Sequence, residues 1–168
     1  PYGTHYFTGE DEVIPNDSPD FRGDDSKIIV NATIPFIRDA AEQKKPFFAI
    51  VWFHAPHLPV VAGPEHTKLY PDATEYEANY YGCITALDEQ VGRLRKELRD
   101  LGIADNTMVT FCSDNGPEGN DRAPGSAGDF RGRKRSLYEG GIRVPSLIEW
   151  PAKVKAGSST DLPAGTVD

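Results

Sequence analysis

Three short stretches of the 168-residue chain bear side chains able to do chemistry. Asp114-Asn115-Gly116 sets a carboxylate beside an amide carbonyl, followed by a glycine that permits a tight turn. These are hard oxygen donors, suited to calcium or magnesium rather than zinc. Calcium takes about six to eight oxygens, so two donors are part of a shell at most; an ordinary Asp-Asn-Gly turn is the structural alternative. His54 and His57 flank Ala55-Pro56, and Pro59 stiffens the exit. No third ligand stands at a spacing zinc would use. A histidine held there could contact an oxyanion or protonate a leaving oxygen, or be a surface loop residue. Arg131-Gly132-Arg133-Lys134-Arg135 concentrates four cations. A lysine among them could meet a sulfate or phosphate as a mobile point charge, against the alternative of a solvated loop.

Other patterns are bland or missing. His5 and His66 read as structural, and Glu139-Gly140-Gly141-Ile142-Arg143 as a glycine-bearing bend entering a strand. There is no Gly-rich phosphate loop, no Gly-x-Ser-x-Gly elbow and no His-Glu-x-x-His. With 26 acidic against 18 basic residues the net charge is −8, which disfavours a nucleic-acid partner. An anionic substrate stays open, because a few local cations outweigh global charge at short range. No apolar run approaches the roughly 20 residues that cross a bilayer. Cys83 and Cys112 show no paired spacing and read as two small buried residues. The opening Pro1-Tyr2-Gly3-Thr4, without Met or signal peptide, reads as the continuation of an upstream part.

Certain elements must position these residues. Residues 1–25, rich in Gly, Pro, Asp and Asn, read as loop. Ser26 could cap a helix over Lys27–Gln43 with Ile28, Ile29, Ala32, Phe36, Ile37 and Ala40 as its apolar stripe, kinked or split at Pro35. Pro46 to Phe53 is a continuous apolar run, expected as a strand buried on both faces in a parallel sheet. The clearest helix is Thr74–Leu101, with Ile84, Leu87, Val91, Leu94, Leu98 and Leu101 as its stripe and Gly102 as its stop. A strand over 107–112, a long polar loop over 113–135, a strand over 146–150 and a Pro/Gly/Ser-rich tail over 151–168 complete the chain. Strand, helix and strand in this order make an α/β unit with a parallel pair. Both His54–His57 and Ser113–Gly116 then fall at the carboxyl ends of strands, where α/β sheets bind ligands.

In this order the segments resemble the sulfatase family of the alkaline phosphatase superfamily. The carriers are Pro46-Phe47-Phe48 to His54-Ala55-Pro56-His57, Tyr80-Tyr81-Gly82 to Leu87-Asp88-Glu89-Gln90-Val91-Gly92, Ser113-Asp114-Asn115-Gly116, and Arg131-Gly132-x-Lys134 to Tyr138-Glu139-Gly140-Gly141-Ile142-Arg143-Val144-Pro145. The resemblance implies an alkaline phosphatase-like α/β fold, a mixed, largely parallel sheet flanked by helices and incomplete at its N-terminus. Residues 1–168 would form part of a catalytic domain, with 26–150 as the α/β core. It implies that Asp114 and Asn115 are the second pair of ligands to a divalent cation, usually calcium, with magnesium as the alternative. It implies that His57 contacts the ester oxygen and protonates the departing alcohol, and that Lys134 contacts the sulfate.

The parent would hydrolyse a sulfate ester of a sugar or an aryl alcohol, be periplasmic or secreted, and span no membrane. The chain departs from the family at two points. The formylglycine nucleophile needs Cys/Ser-x-Pro/Ala-x-Arg, which does not occur here, and the first metal pair, an early Asp-Asp at a strand end, has no match, since Asp24-Asp25 precedes a helix. The isolated chain is therefore expected to be inactive. A phosphonate or phosphodiester hydrolase of the same superfamily and a non-catalytic module are the alternatives. Arg133 and Arg135 stand where relatives carry small residues, and could crowd the pocket or bind further anionic groups of a polysulfated sugar.

Overall fold

A computed structural model of the protein describes residues 6–8, 11–13, 23–119 and 122–165. These form two compact units, Pro1–Leu101 and Gly102–Asp168. His5 lies outside the described residues.

The first unit opens with a small antiparallel pair, β1 (Tyr6–Thr8) and β2 (Asp11–Val13), where loop was expected. Helix α1 (Asp25–Glu42) begins two residues before the expected start. Its cap is Asp24, whose carboxylate accepts from the Lys27 amide at 3.2 Å, while Ser26 is fully buried inside the first turn. A carboxylate suits that place because it also faces the positive end of the helix dipole. Pro35 does not split α1, which runs through as one helix of 18 residues. The proline is exposed, while Ile34 and Ile37 are buried and α1 packs on α3 on both sides of it. The expected stripe is rotated: Ile28, Val30, Ile34, Ile37 and Ala40 face inward, while Phe36 stays half exposed and meets the Phe47 ring edge-on at 6.1 Å.

The short helix α2 (Pro64–Thr67) starts with proline at its first turn. Helix α3 (Glu75–Asp100) matches the sequence expectation at both ends. Thr74 and Glu77 form a reciprocal capping box, and Gly102 follows the helix in a left-handed conformation, φ 69°. Its inward face is Cys83, Ala86, Leu87, Gln90 and Leu98, so Leu87 and Leu98 are buried as expected whereas Ile84 is half exposed. Arg38 forks onto Glu97 at 2.6 and 2.8 Å, tying α1 to α3. Arg93 adds a second link, donating to Gln90 on its own helix and to Asn31 of α1.

The run 46–53 departs most from expectation. It pairs with no strand among the described residues, and Phe48, Ile50 and Trp52 are 83, 63 and 83% exposed. The alternate residues Phe47, Val51 and Phe53 are partly covered. Ala49 is exposed as well, so the alternation breaks at one position, and the stretch enters no sheet among the described residues.

In the second unit a 3₁₀ turn (Ala104–Asn106) leads into β3 (Val109–Cys112), which pairs antiparallel with β4 (Ser146–Glu149), Val109 opposite Glu149. Both strand pairs among the described residues are antiparallel, so the expected parallel pair is not among them. The Trp150 indole donates to the Asp105 carbonyl at 3.1 Å, fastening the end of β4 to the turn before β3. Cys112 is exposed on β3, unlike buried Cys83. Residues 151–165 carry no helix or strand.

Candidate functional site

The long loop after β3 is ordered by backbone meeting backbone. Gly116 donates its amide to the Gly141 carbonyl at 2.9 Å, and a Cβ on Gly116 would lie 1.9 Å from the Gly140 carbonyl oxygen. Gly140, in the four-residue helix α4 (Glu139–Ile142), donates to Arg131 O at 2.8 Å, and its own Cβ would meet Gly132 O at 2.0 Å. Only glycine fits where two backbones come this close. The Lys134 amide completes the set, donating to Pro117 O at 2.9 Å. The Asp114-Asn115 turn and the Arg131–Lys134 stretch are thereby pinned to one another through the glycines of α4. The bend read as purely structural in sequence is what brings the two candidate segments together.

The four cations then separate by role. Arg131 lies over the Tyr138 ring, 3.8 Å from its centroid. Arg133 points its guanidinium at three backbone carbonyls, donating to Glu118 O at 2.6 Å, Gly125 O at 3.2 Å and Ala123 O at 3.3 Å. Arg135, at φ 73°, pairs with the Glu118 carboxylate at 2.6 Å, and that hydrogen bond, aided by the Gly119 amide, holds Glu118 below the usual carboxylate range. No hydrogen bond or ion pair among the described residues holds the Lys134 ammonium. Arg133 and Arg135 thus spend guanidinium donors on the loop itself and Arg131 stacks on Tyr138. Of the two roles open for Arg133 and Arg135, neither describes what their charged ends do here: both bind the protein.

Asp114 is exposed and Asn115 half-buried, and the Ser113 hydroxyl donates to the Asn115 carbonyl at 2.8 Å. No group of three or more His, Cys, Asp or Glu among the described residues could hold a metal. A free carboxylate beside a side-chain amide fits two positions of a calcium shell, whose remaining oxygens must come from other groups.

His57 belongs to the first unit and the other three candidates to the second. The peptide nitrogen of His57 donates to His54 O at 2.8 Å, closing a turn that places the rings 5.1 Å apart. Both rings address one acceptor, the Leu58 carbonyl: His57 through Nδ1 at 2.8 Å and His54 through Nε2 at 3.3 Å. A carbonyl only accepts, so this network places a proton on His57 Nδ1 and leaves Nε2 as the atom that gains or gives one. The two rings line a cleft of about 40 Å³ with Asp25, Ala55, Pro59, Val61 and Cys83. The Cys83 thiol donates to Val61 O at 3.3 Å, and burial, reinforced by Asp24 and Asp25, pushes it up to about 11. A thiol so raised is a poor nucleophile at neutral pH.

The Sulfatase family model matches residues 2–168. The chain belongs to the sulfatase family. It is 33% identical over 152 residues to a sulfatase of Formosa agariphila, covering 82% of this chain and 27% of that protein. It is 34% identical over 138 residues to the Homo sapiens N-acetylgalactosamine-6-sulfatase, covering 79% of the chain and 24% of the relative. Among solved structures, Ps i-CgsB in complex with k-i-k-neocarrahexaose matches with a TM-score of 0.72 at 33% identity, over 79% of this chain and 29% of that one. The chain spans about a quarter of the length of the curated relatives it matches. In this sulfatase-family chain the described residues are a partial α/β fragment of the alkaline phosphatase-like fold. None of the described helices is long and apolar enough to cross a membrane.

Sequence reasoning did not find Asp25 in the histidine cleft or Arg133 as a carbonyl clamp. Asp25 stood beside Asp24 as one of two adjacent acids ahead of the first helix and was given no role. Its place in the cleft comes from α1 packing on α3, which no local pattern encodes.

Proposed function

We propose that the protein carrying this chain is a sulfuric ester hydrolase in which these residues supply part of the sulfate and metal site. One observation carries the reading: the Asp114-Asn115 turn is pinned to the Arg131–Lys134 stretch, and of that cluster's charged ends only that of Lys134 makes no hydrogen bond, ion pair or ring contact among the described residues. An ammonium held on a fixed backbone beside hard oxygen donors suits a tetrahedral oxyanion. Asp114 and Asn115 would hold a divalent cation, calcium with magnesium as the alternative, which supplies Lewis-acid stabilisation of the sulfate oxygens when bound. The nucleophile, a formylglycine, is assigned outside these 168 residues, because no Cys/Ser-x-Pro/Ala-x-Arg occurs in them.

Within the chain the work divides in two. The Lys134 ammonium binds the sulfate and offsets its negative charge. His57, with Nδ1 fixed on Leu58 O, delivers a proton from Nε2 to the alcohol oxygen as the S–O bond breaks. The substrate class we favour is a sulfated sugar. It is supported by the neocarrahexaose bound in one structural relative and by the N-acetylgalactosamine-6-sulfatases among the sequence relatives. A periplasmic or secreted location suits such a substrate.

The test uses the 168-residue chain and a longer protein that includes the nucleophile motif. The chain alone should neither turn over an aryl sulfate nor bind calcium at micromolar affinity. The longer protein should hydrolyse the aryl sulfate, with kcat/KM falling roughly 10²–10³-fold in Lys134→Ala, the scale of losing one preorganised charge. His57→Ala should cost more with a sugar sulfate than with an aryl sulfate, since a poor leaving group depends more on its acid. Faster turnover of an aryl phosphate diester than of the sulfate would replace this reading with the phosphodiesterase alternative.

A further inference from the structure

We infer that Arg133 is a positioning residue for Lys134, a clamp that fixes where the lysine's charge originates. The inference rests on the sulfate role proposed above for Lys134. Arg133 sends its fork to carbonyls drawn from both ends of the segment 118–125: Glu118 O at 2.6 Å on one side, Ala123 O and Gly125 O at 3.3 and 3.2 Å on the other. The next residue is tethered to the same segment by its backbone, Lys134 N–H to Pro117 O at 2.9 Å. The approach is tight, for a Cβ on Gly119 would lie 2.9 Å from Lys134 O. Side chain of one residue and main chain of the next therefore grip the same neighbourhood, at Pro117 and Glu118 on one side and at Ala123 and Gly125 on the other.

The guanidinium suits this task chemically. Its planar fork carries five donors in fixed directions, so one side chain serves three carbonyls, which a lysine's single ammonium cannot match in geometry. Nε and Nη2 of Arg133 are thereby both committed to carbonyls of the protein. Without the fork, three carbonyls lose their donor, and the Lys134 amide and the Arg135–Glu118 pair remain as the links to residues 117 and 118. Neighbouring charges do not substitute, since Arg135 takes the Glu118 carboxylate and Arg131 the Tyr138 face.

Two measurements test this. In the 168-residue chain, hydrogen exchange at the Lys134 amide should speed up at least tenfold in Arg133→Met, which keeps the stem and removes every donor. Amides in the middle of α3 serve as the internal control and should not change. If R133M unfolds globally, R133K provides the same comparison, with a smaller acceleration expected. Unchanged protection of the Lys134 amide overturns the inference whatever the protein's activity.

In the longer protein, R133M should lower kcat/KM for an aryl sulfate about 10- to 100-fold. It should cost less than threefold further in a Lys134→Ala background, because its effect passes through the lysine. Losses that simply multiply would show a general structural role and overturn the inference. A Lys134→Ala variant that retains full activity would instead defeat the proposed role of Lys134, while the exchange measurement would still decide whether Arg133 is a clamp.

Discussion

Replacing Gly116 by alanine isolates the contact on which the candidate site depends. The added methyl would sit 1.9 Å from Gly140 O, 3.0 Å from Gly140 C and 3.2 Å from Gly141 Cα, all main-chain atoms that cannot rotate aside. Relief requires the Asp114-Asn115 turn to move off α4, which breaks the Gly116 N–H to Gly141 O bond of 2.9 Å. Overpacking costs about 1–3 kcal/mol and a lost hydrogen bond about 0.5–1.5, so a destabilisation of about 2–4 kcal/mol is expected. With a urea slope of about 1–3 kcal/mol per molar, the midpoint should fall by about 1 M or more. Trp150 reports on this unit through its bond to Asp105 O, and the other tryptophan, Trp52, is 83% exposed. Urea unfolding followed by Trp150 fluorescence in a Trp52→Phe background therefore reads the right part of the chain. Gly92→Ala is the matched opposite: exposed in α3 with nothing within 4 Å of the new methyl, it should stabilise by about 0.5–1 kcal/mol, read by circular dichroism. A Gly116→Ala midpoint within error of the parent would refute the close approach and, with it, the pinning of the Asp114-Asn115 turn to the lysine stretch.

Acid should weaken the fold through particular carboxylates. Glu97, held below its ordinary range by its hydrogen bond to Arg38, and Glu118, held down by Arg135, each add stability present above the unfolded value of 4.5 and lost as pH falls through their lower folded values. Asp24 has the opposite sign: burial raises it, so its contribution is present below 3.8 and lost as pH rises through its folded value. Denaturant midpoints measured between pH 6 and 3 should therefore decline, and Glu97→Gln should flatten the decline. The two thiols should also differ: at pH 8 iodoacetamide should modify exposed Cys112 readily and Cys83 hardly at all. A thiol pushed up to about 11 is only about one part in a thousand thiolate there. Equal labelling of both would show that the interior around α3 opens freely. Finally, Phe48→Ser should shift the stability of the 168-residue chain by less than about 0.5 kcal/mol, because the ring is 83% exposed. In a longer protein whose sheet covers the 46–53 run, the same change should cost about 3 kcal/mol or more; equal small effects in both would show that this run stays uncovered.

Legibility followed the range of the interaction. Helix α3 was readable to within a residue at each end because its signals are local: a threonine and a glutamate three residues apart at the start and a glycine that accepts a left-handed turn at the stop. In α1 the same kind of reasoning found the helix but misplaced its cap and its face. Asp24 and Ser26 are both good capping residues, and the choice between them is made by what each meets once α1 lies on α3. Ile34 outranks Phe36 as a core residue for a similar reason, since periodicity tolerates either and only the shape of the partner helix decides.

The site residues show the same division more sharply. Asp114, Asn115, His57 and Lys134 stood out in the sequence as residue types in a pattern. Sequence could not say which of the cations Arg131, Arg133, Lys134 and Arg135 was available to a ligand, because all carry the same charge in the same stretch. The distinction is geometric. Gly132, Gly140 and Gly116 allow two backbones to touch, and the touching brings carbonyls 118, 123 and 125 within reach of Arg133 while the ammonium of its neighbour makes no hydrogen bond or ion pair among the described residues. A lone lysine between two arginines reads as one more positive charge in a basic loop. With both flanking arginines bound to the protein, the lysine is the residue of the cluster whose charged end makes no hydrogen bond, ion pair or ring contact among the described residues, and a sulfate would offer it one.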